Sequence, residues 1–247
     1  MMPELCRVFI LAGGRGTRLR ALFPDQPKPM VPVAGKPFLE RQLSLLGGQG
    51  FHDFVLCVGY RAEQIVDYFG DGARWGIQID YSREPEPLGT AGALKQAAGY
   101  WSGAALVLNG DTYLDTDYQD LVRQHRQQTG RGAIGSLGLL RVDDCSRYGQ
   151  VQLAPDGRIE RFIEKQAATA PAGLVNAGAY VLEPSILEII PAGQAVSIEY
   201  ATFPALVAEG AGLFGVTLAG TFIDIGTPEG HAALEQRLDG QLGAPGR

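Results

Sequence analysis

An α/β fold with a mostly parallel, doubly wound sheet and a small antiparallel extension is predicted by three observations. Short apolar runs alternate with longer segments of helical period as far as Gly130. A glycine-rich turn follows the first of these runs directly, at Gly13–Gly16. From Gly132 to Leu182 the rhythm changes to strands separated by turns such as Ala154-Pro155-Asp156-Gly157. The alternation implies right-handed crossovers and a sheet covered on both faces. The later strands supply the extension.

In chain order, the apolar run Arg7–Leu11 is a strand buried on both faces, and Leu39, Leu43 and Leu46 place a helix over Lys36–Leu46. Phe54–Val58, Ile77–Tyr81 and Ala105–Asn109 repeat the short apolar pattern of strands. Helical spacing covers Arg61–Tyr68, Ala91–Ala98 and Tyr118–Gln128. Further strands are expected at Gly132–Leu140, Gly149–Leu153, Ile159–Ile163, Val175–Leu182 and Leu213–Leu218. Helices are expected at Pro184–Ile190, Phe203–Glu209 and Pro228–Leu238. No linker separates these segments, so residues 1–239 read as one domain, with 240–247 a frayed tail.

Composition narrows the function. The chain has 247 residues, 45% of them hydrophobic, and a formal net charge of −6. An acidic chain offers no general basic field for nucleic acid. No apolar run reaches the length of a membrane helix, so no membrane partner is expected. The 34 glycines are about twice the usual share. Cys6, Cys57 and Cys145 are scattered, without metal-ligand spacing, and the start lacks the pattern of a secretory signal. A soluble, cytoplasmic protein is expected.

The most informative segment is Leu11-Ala12-Gly13-Gly14-Arg15-Gly16-Thr17-Arg18-Leu19. Open α/β sheets bind ligands beyond the carboxyl ends of their strands, where this loop lies. Its glycines leave backbone N–H groups uncovered for phosphate oxygens, and Arg15 and Arg18 add cationic charge. It is neither a P-loop nor a dinucleotide fingerprint, because no Gly-Lys-Ser/Thr follows and Leu19 takes the third glycine's place. In Gln26-Pro27-Lys28-Pro29-Met30 the prolines stiffen the loop and push Lys28 into extended geometry, where its ammonium can meet a phosphate or simply be a solvated loop lysine.

Leu88–Leu94 puts small residues, Gly89 and Thr90 among them, at a loop-to-helix junction. A planar base can approach such a backbone and its free N–H groups, although close helix packing explains the same residues. Asp111 ends a strand and Asp224 lies in an apolar stretch. Two carboxylates converging on Mg²⁺ would explain both, as would turn acceptors at each. Ser197-Ile198-Glu199 reads as a helix start, with Ser197 the cap and Glu199 set against the dipole. His52, His125 and His231 fall in no motif.

Together these segments resemble the sugar-nucleotide pyrophosphorylases, whose motif is Gly-Gly-x-Gly-x-Arg-Leu followed by Pro-Lys-Pro. The likeness continues through Leu88–Leu94, Leu108–Thr112, Glu164-Lys165, Asn176–Tyr180 and Phe222–Glu229. It implies a Rossmann-like fold of the nucleotide-diphospho-sugar transferase type and a nucleotidyltransferase reaction. The partners implied are a nucleoside triphosphate and a sugar 1-phosphate, with Mg²⁺ as cofactor. Arg18 and Lys28 are then the catalytic cations. Leu11, Ala12, Gly13, Gly14, Arg15, Gly16, Thr17, Glu84, Gly89, Thr90, Asn109 and Gly110 bind the nucleotide. Gly149, Glu164, Lys165 and Asn176 bind the sugar phosphate, and Asp111 and Asp224 the metal. The usual Glu-Lys-Pro reads Glu164-Lys165-Gln166, which leaves that loop less constrained. Many relatives carry a further C-terminal domain, and this length suits the catalytic domain alone.

The run Glu84-x-x-x-Leu88-Gly89-Thr90-Ala91-Gly92 looks most like the GTP users. Glu84 can accept two hydrogen bonds from guanine, whereas uracil and thymine offer one N–H on that edge. Gly59–Glu63 and the Ser197/Glu199 segment look closest to D-glycero-α-D-manno-heptose 1-phosphate guanylyltransferases, with mannose 1-phosphate the near rival. Ser197-x-Glu199 resembles a segment near the sugar site of some such relatives, although the cap is the preferred reading. Uridylyl or thymidylyl transfer to a hexose 1-phosphate, and a non-catalytic nucleotide sensor, are the other readings. Edge strands of the extension suit pairing into a homodimer.

Overall fold

The computed structural model describes residues 6–242 apart from Arg15, Thr17, Arg20, Ala21, 146–147 and 164–170. In chain order the elements are β1 (Val8–Ala12), β2 (Pro32–Val33), β3 (Lys36–Pro37), α1 (Phe38–Gly48), β4 (Asp53–Val58), α2 (Ala62–Phe69) and β5 (Gln78–Arg83). There follow α3 (Gly89–Gln96), β6 (Ala105–Asn109), β7 (Thr112–Thr116), α4 (Tyr118–Thr129), β8 (Gly135–Val142), β9 (Gln150–Leu153) and β10 (Ile159–Ile163). The chain continues through β11 (Gly173–Leu182), α5 (Ile186–Ile189), α6 (Phe203–Ala208), β12 (Leu213–Thr217), β13 (Gly220–Asp224) and α7 (Pro228–Leu242).

The main sheet has nine strands, in the order β10-β9-β11-β6-β1-β4-β5, with β8 paired to β11 and to β12. Strands β6, β1, β4 and β5 run parallel, as do β8 and β12. Alternate residues of β1 feed opposite faces, as the two-residue strand period requires. Val8 and Ile10 pack with Leu39 and Leu43 of α1, Ile65 of α2 and Leu121 of α4. Phe9 packs with Ala93 and Leu94 of α3, Ile186 of α5 and Phe203 of α6. The sheet is therefore doubly wound, as predicted.

The antiparallel part sits differently from the expectation of an appendage. β11 is inserted between β6 and β8 and runs antiparallel to both, so only the β9–β10 hairpin projects. Three other differences are local, and two have evident causes. Gly132 lies at φ +82° and makes the turn after α4, so β8 starts later, at Gly135. Pro37 precedes α1 in extended conformation, so that helix begins at Phe38 rather than Lys36. α7 runs beyond Leu238 to Leu242.

Two small sheets were not foreseen. β2 pairs with β3, and β7 pairs with β13 with Asp224 opposite Thr112. Their sequences, Pro32-Val33 and Thr112-Tyr113-Leu114-Asp115-Thr116, are too short or too polar to carry an apolar run. A third hydrophobic cluster, of Val33, Phe38, Tyr113, Ile225, Leu234 and Leu238, binds them to α7. Among the described residues, no helix is long and apolar enough to cross a membrane. Cys6, Cys57 and Cys145 are all unpaired.

Candidate active site

A cavity of about 1550 Å³ opens over the carboxyl ends of β1, β4 and β6, where such sheets bind ligands. Of the residues singled out in sequence, Leu11, Gly13, Gly14, Gly16, Arg18, Lys28, Glu84, Gly89, Thr90, Asn109, Gly110, Asp111, Gly149, Asn176 and Asp224 line it. Ala12 does not, because the strand alternation turns its side chain into the core. Arg15, Thr17, Glu164 and Lys165 lie outside the described residues.

Two glycines of the first loop make room for functional side chains. A Cβ on Gly13 would lie 2.2 Å from Glu84 Oε1, and one on Gly16 would lie 2.8 Å from Lys28 Cβ. Gly16 also has φ +60°, which disfavours any other residue. The loop is thus shaped by what packs beneath it as well as by any ligand above it.

Lys28 is not extended as the flanking prolines suggested. Pro27 takes the extended conformation, and Lys28 opens a single 3-10 turn to Met30. The turn is anchored because Pro27 and Pro29 are buried. Lys28 Nζ lies 2.7 Å from Asp111 Oδ2. A Cβ on Gly226 would lie 2.5 Å from Lys28 Nζ and 2.7 Å from Asp224 Oδ1, so the ammonium reaches both carboxylates' surroundings. Asp224 Oδ1 accepts the Gly226 N–H at 2.7 Å, as a turn acceptor would. The unforeseen β7–β13 pair is what brings the two aspartates together, and Ile225 N–H donates to the Asp111 carbonyl at 3.2 Å.

α7 fastens the lysine's surroundings. His231 Nε2–H donates to the Pro32 carbonyl at 2.7 Å, and Glu235 accepts the Ala34 N–H at 3.2 Å. The His231 ring also meets Phe23, with centroids 5.2 Å apart. A histidine that fell in no motif therefore holds the Lys28 loop.

Glu84 is partly buried, and that desolvation raises its carboxyl above the usual range, offset in part by the Leu88 N–H bonded to Oε2 at 3.0 Å. Two of the free N–H groups expected at the start of α3 are already used. Ala91 N–H bonds the Val196 carbonyl at 2.9 Å, and Gly92 N–H approaches the same oxygen at 3.4 Å. Gly89 and Gly92 are small because residues 194–196 press on them. A Cβ would lie 2.6 Å from Val196 O at Gly89 and 2.5 Å from Gln194 O at Gly92. Close packing accounts for both glycines, while Gly89 and Thr90 still face the cavity.

Glu199 was expected to serve the helix start rather than the site, although its segment resembles one near the sugar site of related enzymes. Ser197 does cap, accepting the Tyr200 N–H at 3.1 Å, and opens a π-helical turn over Ile198–Thr202. Glu199, however, turns into the cavity. Its carboxylate accepts from Thr90 Oγ1 at 2.7 Å, Ser197 Oγ at 2.9 Å and Asn109 Nδ2 at 3.3 Å, with Tyr180 OH at 3.4 Å. Asn176 joins through Nδ2 to Tyr180 OH at 3.0 Å, where β11 bulges around Gly178. The Ser-x-Glu spacing was the available signal, and the cap alone explained it.

The donor set suits a magnesium ion. Among the described residues, no group of three or more His, Cys, Asp or Glu side chains forms a complete cage. Magnesium prefers one or two carboxylates completed by water and substrate phosphates, which is what Asp111 and Asp224 offer. The lining also carries more carboxylates than cations. Among the described residues, Glu84, Glu86, Asp111, Glu160, Glu199 and Asp224 face Arg18, Lys28 and Arg161.

A family model described as "Nucleotidyl transferase" matches residues 7–239. A mannose-1-phosphate guanylyltransferase from Mycobacterium tuberculosis is 39% identical over 222 residues, which is 89% of this chain and 61% of that protein. A UTP–glucose-1-phosphate uridylyltransferase from Synechocystis is 36% identical over 235 residues, 89% of this chain and 60% of that one. The chain thus spans about three-fifths of the curated relatives it matches. Among solved structures, HddC from Yersinia pseudotuberculosis matches with a TM-score of 0.82 and 33% identity, over 95% of this chain and all of that one. The same protein complexed with GMP-PN matches with a TM-score of 0.80.

Proposed function

The chain belongs to the nucleotidyl transferase family, and on that premise we propose that it is a sugar-1-phosphate guanylyltransferase. It would join GTP to D-glycero-α-D-manno-heptose 1-phosphate, giving GDP-heptose and pyrophosphate. The observation that carries the nucleotidyl-transfer reading is the Lys28–Asp111 pair facing Asp224 beneath the glycine loop. Guanine is supported by the desolvated Glu84 carboxylate in the cavity and by the GMP-PN complex of HddC. Mannose 1-phosphate is the second reading, supported by the name of the mycobacterial relative.

The reaction is a displacement at the α-phosphorus. An oxygen of the sugar phosphate forms the new P–O bond as the bond to pyrophosphate breaks. The nucleophile is already ionised, so the difficulty is repulsion between two anions and the remedy is positive charge fixed in advance. Arg18 would face the departing pyrophosphate and Lys28 the reacting phosphates, with Lys165 holding the incoming one. Asp111 and Asp224 would hold Mg²⁺, which when bound supplies the positive charge that a carboxylate-rich cavity lacks.

A cytoplasmic, reducing location belongs to the same reading and is supported by three unpaired cysteines. Homodimer formation would use a free sheet edge such as that of β10 or β5, and size-exclusion chromatography tests it.

The test of activity is pyrophosphate release with GTP, UTP and dTTP against heptose, mannose and glucose 1-phosphates, each with and without Mg²⁺. Release that is greatest with GTP and heptose 1-phosphate is expected. Nucleotide binding without release would mark a sensor instead, and equal rates with UTP would remove the guanine assignment.

A further inference from the structure

Asp111 sits on a two-residue crossing between sheets. β6 ends at Asn109 in the main sheet and β7 begins at Thr112 in the two-stranded one. The carbonyls of Asn109 and Thr112 flank the crossing, and both are met by one buried side chain. Gln42 Nε2, on α1, donates to Asn109 O at 3.1 Å and to Thr112 O at 3.0 Å. Gln42 is only 5% exposed. Its Oε1 is buried with no hydrogen-bond partner among the described residues.

That arrangement fixes the amide's orientation, since two carbonyls can only be satisfied by the two N–H groups of one NH₂. The orphaned Oε1 carries a cost that the bonds to the Asn109 and Thr112 carbonyls offset. What the amide does achieve is a clamp across the turn whose middle carries Asp111. Among the described residues, Asp111 itself is tied by Lys28 Nζ and Thr112 Oγ1 at its carboxylate and by Ile225 N–H at its carbonyl.

We propose that Gln42 is a positioning residue: by holding the carbonyls of Asn109 and Thr112 together, it sets where the Asp111 carboxylate points and how tightly the site takes a divalent cation. The proposal rests on the magnesium reading above. Outer partners of metal ligands are typically worth about 10- to 100-fold in metal affinity.

A matched control lies on the same helix's end. Gln49 Nε2 donates to Thr116 O at 2.7 Å and its Oε1 accepts the Tyr118 N–H at 2.9 Å. It holds the far end of β7, away from Asp111. The experiment compares the full chain with Gln42→Met and Gln49→Met, both of which remove an amide and keep an unbranched side chain. Binding of Mn²⁺ without nucleotide is followed by loss of the free-ion electron paramagnetic resonance signal. The Mg²⁺ half-saturation of pyrophosphate release and the thermal midpoint are measured on the same samples.

Gln42→Met is expected to weaken Mn²⁺ binding and raise Mg²⁺ half-saturation by about tenfold. Gln49→Met is expected to lower the midpoint while leaving Mn²⁺ affinity within about threefold. Gln42→Asn, which keeps the amide but draws it back by one methylene, should fall between; it serves as the probe should the methionine variant fail to fold. Wild-type Mn²⁺ affinity in Gln42→Met, or equal losses in both methionine variants, would overturn the proposal alone. A wild-type chain that binds no Mn²⁺ and needs no divalent ion would overturn the magnesium reading, and the proposal with it.

Discussion

Gly13→Ala tests the guanine assignment without replacing a charged group. The added methyl would lie 2.2 Å from Glu84 Oε1 and 3.2 Å from its Cδ. Glu84 is tethered at its backbone, whose N–H bonds Val58 O at 2.8 Å, and by Oε2 to the Leu88 N–H. The carboxylate must therefore retreat by roughly 1 Å to reach ordinary van der Waals contact, while the main chain stays in place. A misplacement of about that size costs on the order of 10²-fold in turnover when the displaced group orients substrate. In barrier terms this is about 2.7 kcal/mol. The assay is kcat/KM for GTP and for UTP with one sugar phosphate, alongside a thermal melt. GTP should lose on the order of 10²-fold and UTP less than about tenfold, because uracil engages less of the carboxylate. The thermal midpoint should move by only a few degrees, about 4 °C per kcal/mol at most for a chain of this size. An unchanged GTP-to-UTP ratio in a normally folded variant would refute the argument from Glu84.

Other perturbations follow from the same geometry. Lys28→Ala leaves Asp111 without its counter-charge, and kcat should fall by about 10²-fold or more in a steady-state assay; a rate within about threefold of wild type would remove Lys28 from the catalytic groups. Arg18→Ala should give a loss of similar order, rising with a poorer leaving group than pyrophosphate. Chelation by EDTA should abolish pyrophosphate release, and added Mg²⁺ should restore it. His125 is buried, with Nδ1 at 2.8 Å from Ser136 Oγ and Nε2 at 3.2 Å from Glu183, and burial lowers its pKa despite the carboxylate. Its unfolded form therefore takes up the proton more readily, so stability should be full above about pH 6.5 and decline as the pH falls below it. Thermal melts at several pH values should show that decline, and His125→Gln should flatten it.

The parts of the site that repeat a local pattern were readable in the chain. The glycine loop, the Pro-Lys-Pro turn and the two aspartates each sit in a short segment whose chemistry is local, and the structure gathers them around one cavity. The parts that depend on distant partners were not. Gln42 meets carbonyls 67 and 70 positions away, and nothing in its own helix marks it. Glu199 carries a spacing that a helix cap explains, while its bond to Thr90 spans 109 positions. β7 was missed because Asp115 interrupts its apolar run and β13 because only Phe222 and Ile223 are apolar in it, although their pairing is what sets Asp111 and Asp224 side by side. The N–H groups of Ala91 and Gly92 were taken by Val196, which no reading of Leu88–Leu94 alone reveals.

The grip of α7 on the Lys28 loop has a consequence for anyone trimming the chain. All nine strands of the main sheet precede Pro228, so a fragment ending there would retain every ladder that defines the fold. It would lose the props under Pro32 and Ala34, and with them the lysine's fixed bearing on its aspartate. Such a fragment would also bare Val33, Phe38, Tyr113 and Ile225, so it should keep the main sheet at reduced stability and work poorly.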